Sequence, residues 1–361
     1  DVYKRQGLYM ELGILLLIFG SDRQFRRVKA VKNTLRGRRT VSNLYWALQY
    51  GMLDFVDALH GEQFGDDQKT LTALKSQGLV DADDAFQIQL TPKGITQQQQ
   101  YLNQLMPLKY LAIASKYDVA KFMQRFSFAV QIVSEYSYGN SKYYPQRIDY
   151  FEDQLLKRWF VQNKENDLPN HFHKELNDFL GDLGDDHLAD TFTESLIGHH
   201  FSGLTADQIA SQHQVPATII EFQWLQLYGK LLTNLLSLPK NNVFSMLTAD
   251  LEKPIVSNSA RETFDMFLRQ GDGNLGLISK RRKIKLTTVY EHLLEAAIMA
   301  PVKGFPYQAL ISSDLMGQLR AHQPENVGDW NFQDASHAIP NLEFFQFRLF
   351  QIYRSKSTDE D

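Results

Sequence analysis

The chain reads as a mainly α protein: an N-terminal winged helix with a small β wing, a helical middle region and a C-terminal helix-turn-helix domain. Three observations lead there. Apolar residues recur at helical spacing through most of the 361 residues. One stretch, Phe86-Ile88-Leu90, alternates as a half-buried strand does. Near the carboxy end, apolar-periodic segments flank Lys280 to Lys285, a run of six positions that holds five cations.

The bulk composition limits the function classes. The length suits two or three domains. A formal net charge of −4 gives no global attraction to nucleic acid, so a cationic binding surface has to be local. The absence of cysteine removes disulfides, thiolate metal sites and cysteine nucleophiles, and fits a reducing, cytoplasmic setting.

In chain order, residues 1–9, "DVYKRQGLY", have no apolar period and precede Met10. "DVYKRQ" resembles translated sequencing-adapter sequence, so these residues are expected to be a non-native leader. Gly13–Gly20, "GILLLIFG", is shorter than the about 20 apolar residues of a spanning helix; it predicts a buried helix and no membrane partner. A cationic stretch follows: Arg23, Arg26, Arg27, Lys29, Lys32, Arg36, Arg38 and Arg39. Val28, Val31 and Leu35 form a packing face between them. Thr40 or Ser42 caps the next helix, whose face is Leu44, Tyr45, Leu48 and Met52.

Asp66 and Asp67 start a further helix with Leu71 and Leu74 inside and Gly78 at its end. Two short strands around an acidic turn complete a winged-helix pattern over residues 10–104. Its groove-side helix begins with aspartates, and its wing carries Asp81, Asp83 and Asp84. Phosphates repel such a surface, so this unit is expected to contact protein.

Residues 105–238 read as a helical middle domain, with a loop at "YGNSKYYPQ". Within it, Thr205 and Gln208 have capping-box spacing, Ile209 and Ala210 face a core, and Val215-Pro216 turns the chain. The helix that follows is apolar on nearly all sides, so this helix-turn-helix-like element is structural. Pro- and Asn-containing breaks predict a linker over residues 239–258, and residues 355–361 predict a frayed tail.

The last unit, residues 259–354, opens on Ser259 as a cap. Phe264, Phe267 and Leu268 share one face, and Gly271 stops the helix. Leu277, Ile278 and Ile284 pack a short basic helix. A third helix begins near Leu286 with Val289, Leu293 and Ala296 inside; Thr287, Thr288, Tyr290, Glu291 and Leu294 take the outer or half-exposed side. This is helix-turn-helix spacing. The DNA-binding candidates are Lys280, Arg281, Arg282, Lys283 and Lys285 for phosphates, Thr287 and Thr288 for phosphate or base edges, and Tyr290 for stacking on an unpaired base. No Arg, Asn or Gln occupies the reading positions, so little sequence preference is expected. A charged, solvated face of a small bundle is the competing reading.

Other motifs carry less. "GDGNLG", Gly271–Gly276, follows a helix and not a strand, so it reads as a helix stop and a loop. No phosphate-cradling G-x-x-x-x-G-K-[ST] and no G-x-S-x-G elbow occurs. His171, His173, His187, His199, His200 and His213 lack metal-ligand spacing. His292 is expected to bond within its domain. No catalytic residue, metal or cofactor is assigned. In "NLEFFQFRLFQIY", Leu342, Phe345, Leu349 and Ile352 share a core face, with Phe344 and Phe347 off it.

Thr263, Phe264, Phe267, Ile278, Thr288, Val289, His292, Leu293 and Ala296, then Phe345, Phe347, Arg348 and Leu349, resemble the helicase-associated helix-turn-helix domain. That domain closes YpbB-like proteins of Gram-positive bacteria and some RecQ-type helicases. The family usually has Ala where Ser279 stands. "MELGILLLIFGSDRQFRRVKAVKNTLRGRRTVSNLYWAL" is more loosely similar to the start of YpbB-like proteins. The resemblance implies a non-enzymatic cytoplasmic protein that serves a RecQ-type helicase in DNA repair or recombination. A purely protein-binding scaffold and a helix-turn-helix transcription regulator are the alternatives.

Overall fold

The computed structural model describes residues 10–270 and 274–357. The expected leader, the helix stop at Gly271 with its GDG segment, and the last four residues of the tail lie outside the described residues. The chain is mainly helical, with one three-stranded sheet among the described residues. None of the described helices is long and apolar enough to cross a membrane. Two compact units form: the described residues of 1–29 with 57–253, and those of 30–56 with 254–361.

In the first unit the apolar segment is the buried helix Leu12–Ile18. Strand β1 is Arg26–Arg27, β2 is Val80–Ala82 and β3 is Gln87–Leu90, antiparallel in the order β1-β3-β2. β1 interrupts the expected cationic helix, which begins only at Val28. Val80 pairs with Leu90 and Ala82 with Ile88, so Ile88 and Leu90 point inward. Phe86 does not continue the alternation. It is exposed at φ 56°, where the chain turns between β2 and β3. The side chain of Asp83 closes that turn by accepting from the amides of Ala85 (3.0 Å) and Gln87 (2.9 Å). Asp66 caps the helix Asp67–Ser76 through the Lys69 amide, and Leu71 and Leu74 are buried. Helix, strand and hairpin thus build the small wing.

The middle of the unit is helical, with Val119–Ser137 and Tyr150–Asn163 on either side of a loop. The capping box of Thr205 and Gln208 is formed, Ile209 and Ala210 are buried, and the helix Ala217–Ser237 is buried on most sides. Arg125 lies fully inside. It donates to both oxygens of Glu152 (2.6 and 3.1 Å) and to the carbonyls of Leu247 (3.0 Å) and Ala249 (2.8 Å). Trp159 donates to the carbonyl of Val243 at 2.7 Å. Residues 239–253 are therefore no free linker. Val243, Phe244, Leu247 and Leu251 are buried, and interior donors hold their backbone.

Residues 30–56 sit with the carboxy-terminal segment. Thr40 caps the helix Val41–Gln49, whose Leu44, Tyr45 and Leu48 are buried. It packs against Leu286–Met299 and Phe344–Ser357. The tail is helical through Ser357, because Lys356 donates to the carbonyls of Ala297 (3.1 Å), Ile298 (2.8 Å) and Ala300.

Burial alone would raise the Glu152 carboxyl, but hydrogen bonds and charge from Arg125 and Lys121 outweigh it and hold it below its usual value. Its stabilisation is full above the unfolded carboxylate value of about 4.3 and is lost as pH falls through the lower folded value. Glu152→Ala strands a buried guanidinium and is expected to cost about 3–5 kcal/mol in urea denaturation at neutral pH.

Candidate nucleic-acid interface

Three helices form the candidate interface: a support helix (Asn258–Gln270), a basic helix (Leu275–Arg282) and a reading helix (Leu286–Met299). Ala260, Thr263 and Phe267 make the buried stripe of the support helix. Leu268, expected beside Phe267, falls off this stripe and is exposed. Phe264 lies at its edge, stacked on Phe305 with centroids 5.3 Å apart. The side chain that receives the first-turn amide is Ser257 and not Ser259: Ala260 donates to Ser257 Oγ at 3.4 Å. Ser259 serves the basic helix instead, as a carbonyl acceptor for Arg282.

Asn274 opens the basic helix by accepting from the Leu277 amide at 3.0 Å. Ile278 is buried beneath it. The helix ends at Lys283, which adopts φ 55°. Ser279 seals the turn. Its carbonyl accepts from the Ile284 amide (3.1 Å), and its hydroxyl donates to the Ile284 carbonyl (2.7 Å). An Ala at this position would supply only the first bond. Lys285 occupies the N-cap of the reading helix and gives no side-chain cap, so the first amides of that helix lack a side-chain partner at the cap.

Val289, Leu293 and Ala296 are buried as expected. Leu294 is buried too, because the reading helix packs against the support helix, Val41–Gln49 and Phe344–Ser357 together. Phe345, Leu349 and Ile352 are buried on the last of these helices. Phe347, off that face, is covered by Trp330 (5.1 Å) and Phe332 (5.5 Å).

The cations divide into two groups. Lys280, Arg281, Lys283 and Lys285 are exposed, as is Thr287; Thr288 is half-buried. Arg282 turns inward, its side chain only 9% exposed. It donates to the Ser259 carbonyl (2.6 Å), to Glu262 (2.7 Å) and to the Thr263 hydroxyl. Tyr290 stacks on Phe345 with centroids 4.4 Å apart, so one face of its ring is covered. Burial, then the charge of Glu343, raises its phenol. The structure thus gathers four cations and a threonine around the turn and ties Arg282 and Tyr290 into the fold.

Sequence reading missed one structural centre. Glu295, on the inner side of the reading helix, accepts from the Ser257 amide (2.8 Å), the Ser257 hydroxyl (2.9 Å) and Arg39 (3.1 Å). Arg39 also donates to the carbonyls of Ile255 (2.7 Å) and Pro254 (3.1 Å). The available signal was a glutamate between buried Leu293 and Ala296, where a charge requires a partner. Among the described residues no group of three or more His, Asp or Glu side chains is placed to hold a metal.

A family model described as a helix-turn-helix domain matches residues 259–351, which span the three helices, the turn and most of the last helix. No curated protein and no solved structure matches the chain. The carboxy-terminal segment is thus a helix-turn-helix domain, a class that suggests DNA binding.

Two outcomes separate fold from surface. Arg282→Met is expected to destabilise the domain by about 2 kcal/mol, because it leaves charge-assisted hydrogen bonds unmade. Lys280→Ala and Arg281→Ala are expected to stay within about 0.5 kcal/mol of the parent in denaturant titration. The second outcome concerns His292, whose Nδ1 faces the Thr263 hydroxyl at 2.7 Å and Arg282 at 3.4 Å. Burial first, then the Arg282 charge, lowers its pKa. A base with a depressed folded pKa stabilises above the unfolded value, about 6.5, and loses that contribution as pH falls through the folded value. Melting curves between neutral and mildly acidic pH should show this loss, and His292→Gln should remove that part of the pH dependence.

Proposed function

We propose that the chain is a non-enzymatic accessory of a RecQ-type DNA helicase. It engages DNA through the turn between the basic and reading helices, with little sequence preference, in repair or recombination. The observation that carries the DNA part is the exposed set Lys280, Arg281, Lys283 and Lys285 beside the open amino end of the reading helix. Ammonium and guanidinium groups there neutralise phosphates and release counterions. Leu286, Thr287 and Glu291 are the exposed side chains at the start of the reading helix. None offers the bidentate fork that distinguishes a guanine or an adenine edge. The helicase part rests on the resemblance of residues 259–353 to helicase-associated domains.

Lys283 offers a clean test. Its left-handed backbone favours glycine, so Lys283→Gly removes a cation without straining the turn. Its expected result is weaker duplex binding at unchanged or higher stability, with the slope of log K against log salt shallower by about 0.9 if Lys283 meets one phosphate. Replacing all four exposed cations with Ala should abolish duplex binding, measured by anisotropy. Co-purification with the RecQ-type helicase of the same cell tests the partner. Failure to co-purify, together with preference for one operator by at least about 10³ over bulk DNA, would favour a transcription regulator instead.

A further inference from the structure

The helix Tyr150–Asn163 buries Leu156 and Trp159 and leaves its first aromatic residues outside. Tyr150 is 68% exposed and Phe151 77%, their ring centroids 5.8 Å apart. Phe151 and Arg158 are seven residues apart and so share a helix face, and Arg158 is exposed. The loop before this helix carries Tyr144, which is 98% exposed.

That loop is fastened from beneath. The buried Gln131 side chain donates to the Tyr144 carbonyl (3.0 Å) and accepts from the Gln146 amide (3.0 Å). The Gln146 side chain donates to the Ser127 carbonyl (3.2 Å). An interior glutamine thus holds the backbone under a ring that faces water, which lowers the ordering cost of any contact made there.

The local charge selects the occupant. Glu152 is consumed by Arg125 and Lys121, Asp153 by Lys157 at 2.7 Å, and Asp149 caps the helix through the Phe151 amide at 2.9 Å. Lys142, in the loop, and Arg158, on the helix, are exposed. Flat π surfaces interleaved with cations match unpaired bases on a phosphate backbone, through stacking and charge neutralisation. Tyr144 and Tyr150 are six residues apart, a span of at most about 20 Å, enough for a short run of nucleotides.

We propose that Tyr144, Tyr150 and Phe151, with Lys142 and Arg158, form a second nucleic-acid site that takes single strands by stacking. It stands on observations independent of the helix-turn-helix. The test compares a labelled oligo-dT of about 20 nucleotides, long enough to cover one such site, with a blunt duplex, both on the full chain. Tyr144→Ala/Phe151→Ala should weaken oligo-dT binding about tenfold or more, with duplex binding and melting temperature unchanged. Tyr144→Phe should bind like the parent, since stacking uses the ring. The proposal is overturned if the parent chain does not bind oligo-dT, the result expected of a surface that holds protein instead. It is equally overturned if the double variant binds oligo-dT as the parent does. Ring-dependent oligo-dT binding without any duplex binding would sustain this site while removing the helix-turn-helix reading.

Discussion

Glu295 lies on the inner side of the reading helix with both carboxylate oxygens occupied, one by Arg39 and the Ser257 amide, the other by the Ser257 hydroxyl. A buried charge is tolerated only when it is paired and hydrogen-bonded. This one ties three stretches of chain to one point: the reading helix, the segment leading into the support helix, and residues 30–56. The support helix can begin where it does because Ser257 is held there, and Arg39 binds the carbonyls of Pro254 and Ile255 that precede it.

A second inward cation repeats the logic closer to the candidate interface. Arg282 belongs by sequence to the basic run, yet it fastens the basic helix to the support helix and sits against His292. After burial, its charge is the second cause that lowers the His292 pKa. What remains outside is a compact set of four cations around a turn closed by Ser279. The division of labour is physical: the planar fork of Arg282 satisfies several fixed acceptors inside, whereas Lys280, Arg281, Lys283 and Lys285 keep their charges in water. Such a surface supplies electrostatic affinity and register, and little discrimination among bases.

Much of this was legible in the sequence because the signals are local. Apolar spacing located the buried faces of the reading and last helices, and capping residues located helix starts at Thr40, Asp66 and Thr205. The misplacements share a cause. Phe86 extends an alternation that the turn geometry cuts short, and Leu268 looks like core until the stripe of Ala260, Thr263 and Phe267 is fixed. Residues 239–253 have the composition of a linker but meet donors from Arg125 and Trp159, more than eighty positions away. Arg39 and Glu295 are 256 positions apart, so no periodicity could join them. Within the candidate interface, sequence proximity grouped Arg282 with Lys280 and Arg281; only packing separates them.

The most direct measurement is hydrogen–deuterium exchange of the full chain with and without a duplex, read at the turn and the first turns of the reading helix. DNA contact through Lys280, Arg281, Lys283 and Lys285 predicts slower exchange of amides from Lys283 to Tyr290 on binding, with the Glu295 region already slow in both states. Unchanged exchange across that segment in a chain that demonstrably holds duplex DNA would contradict it.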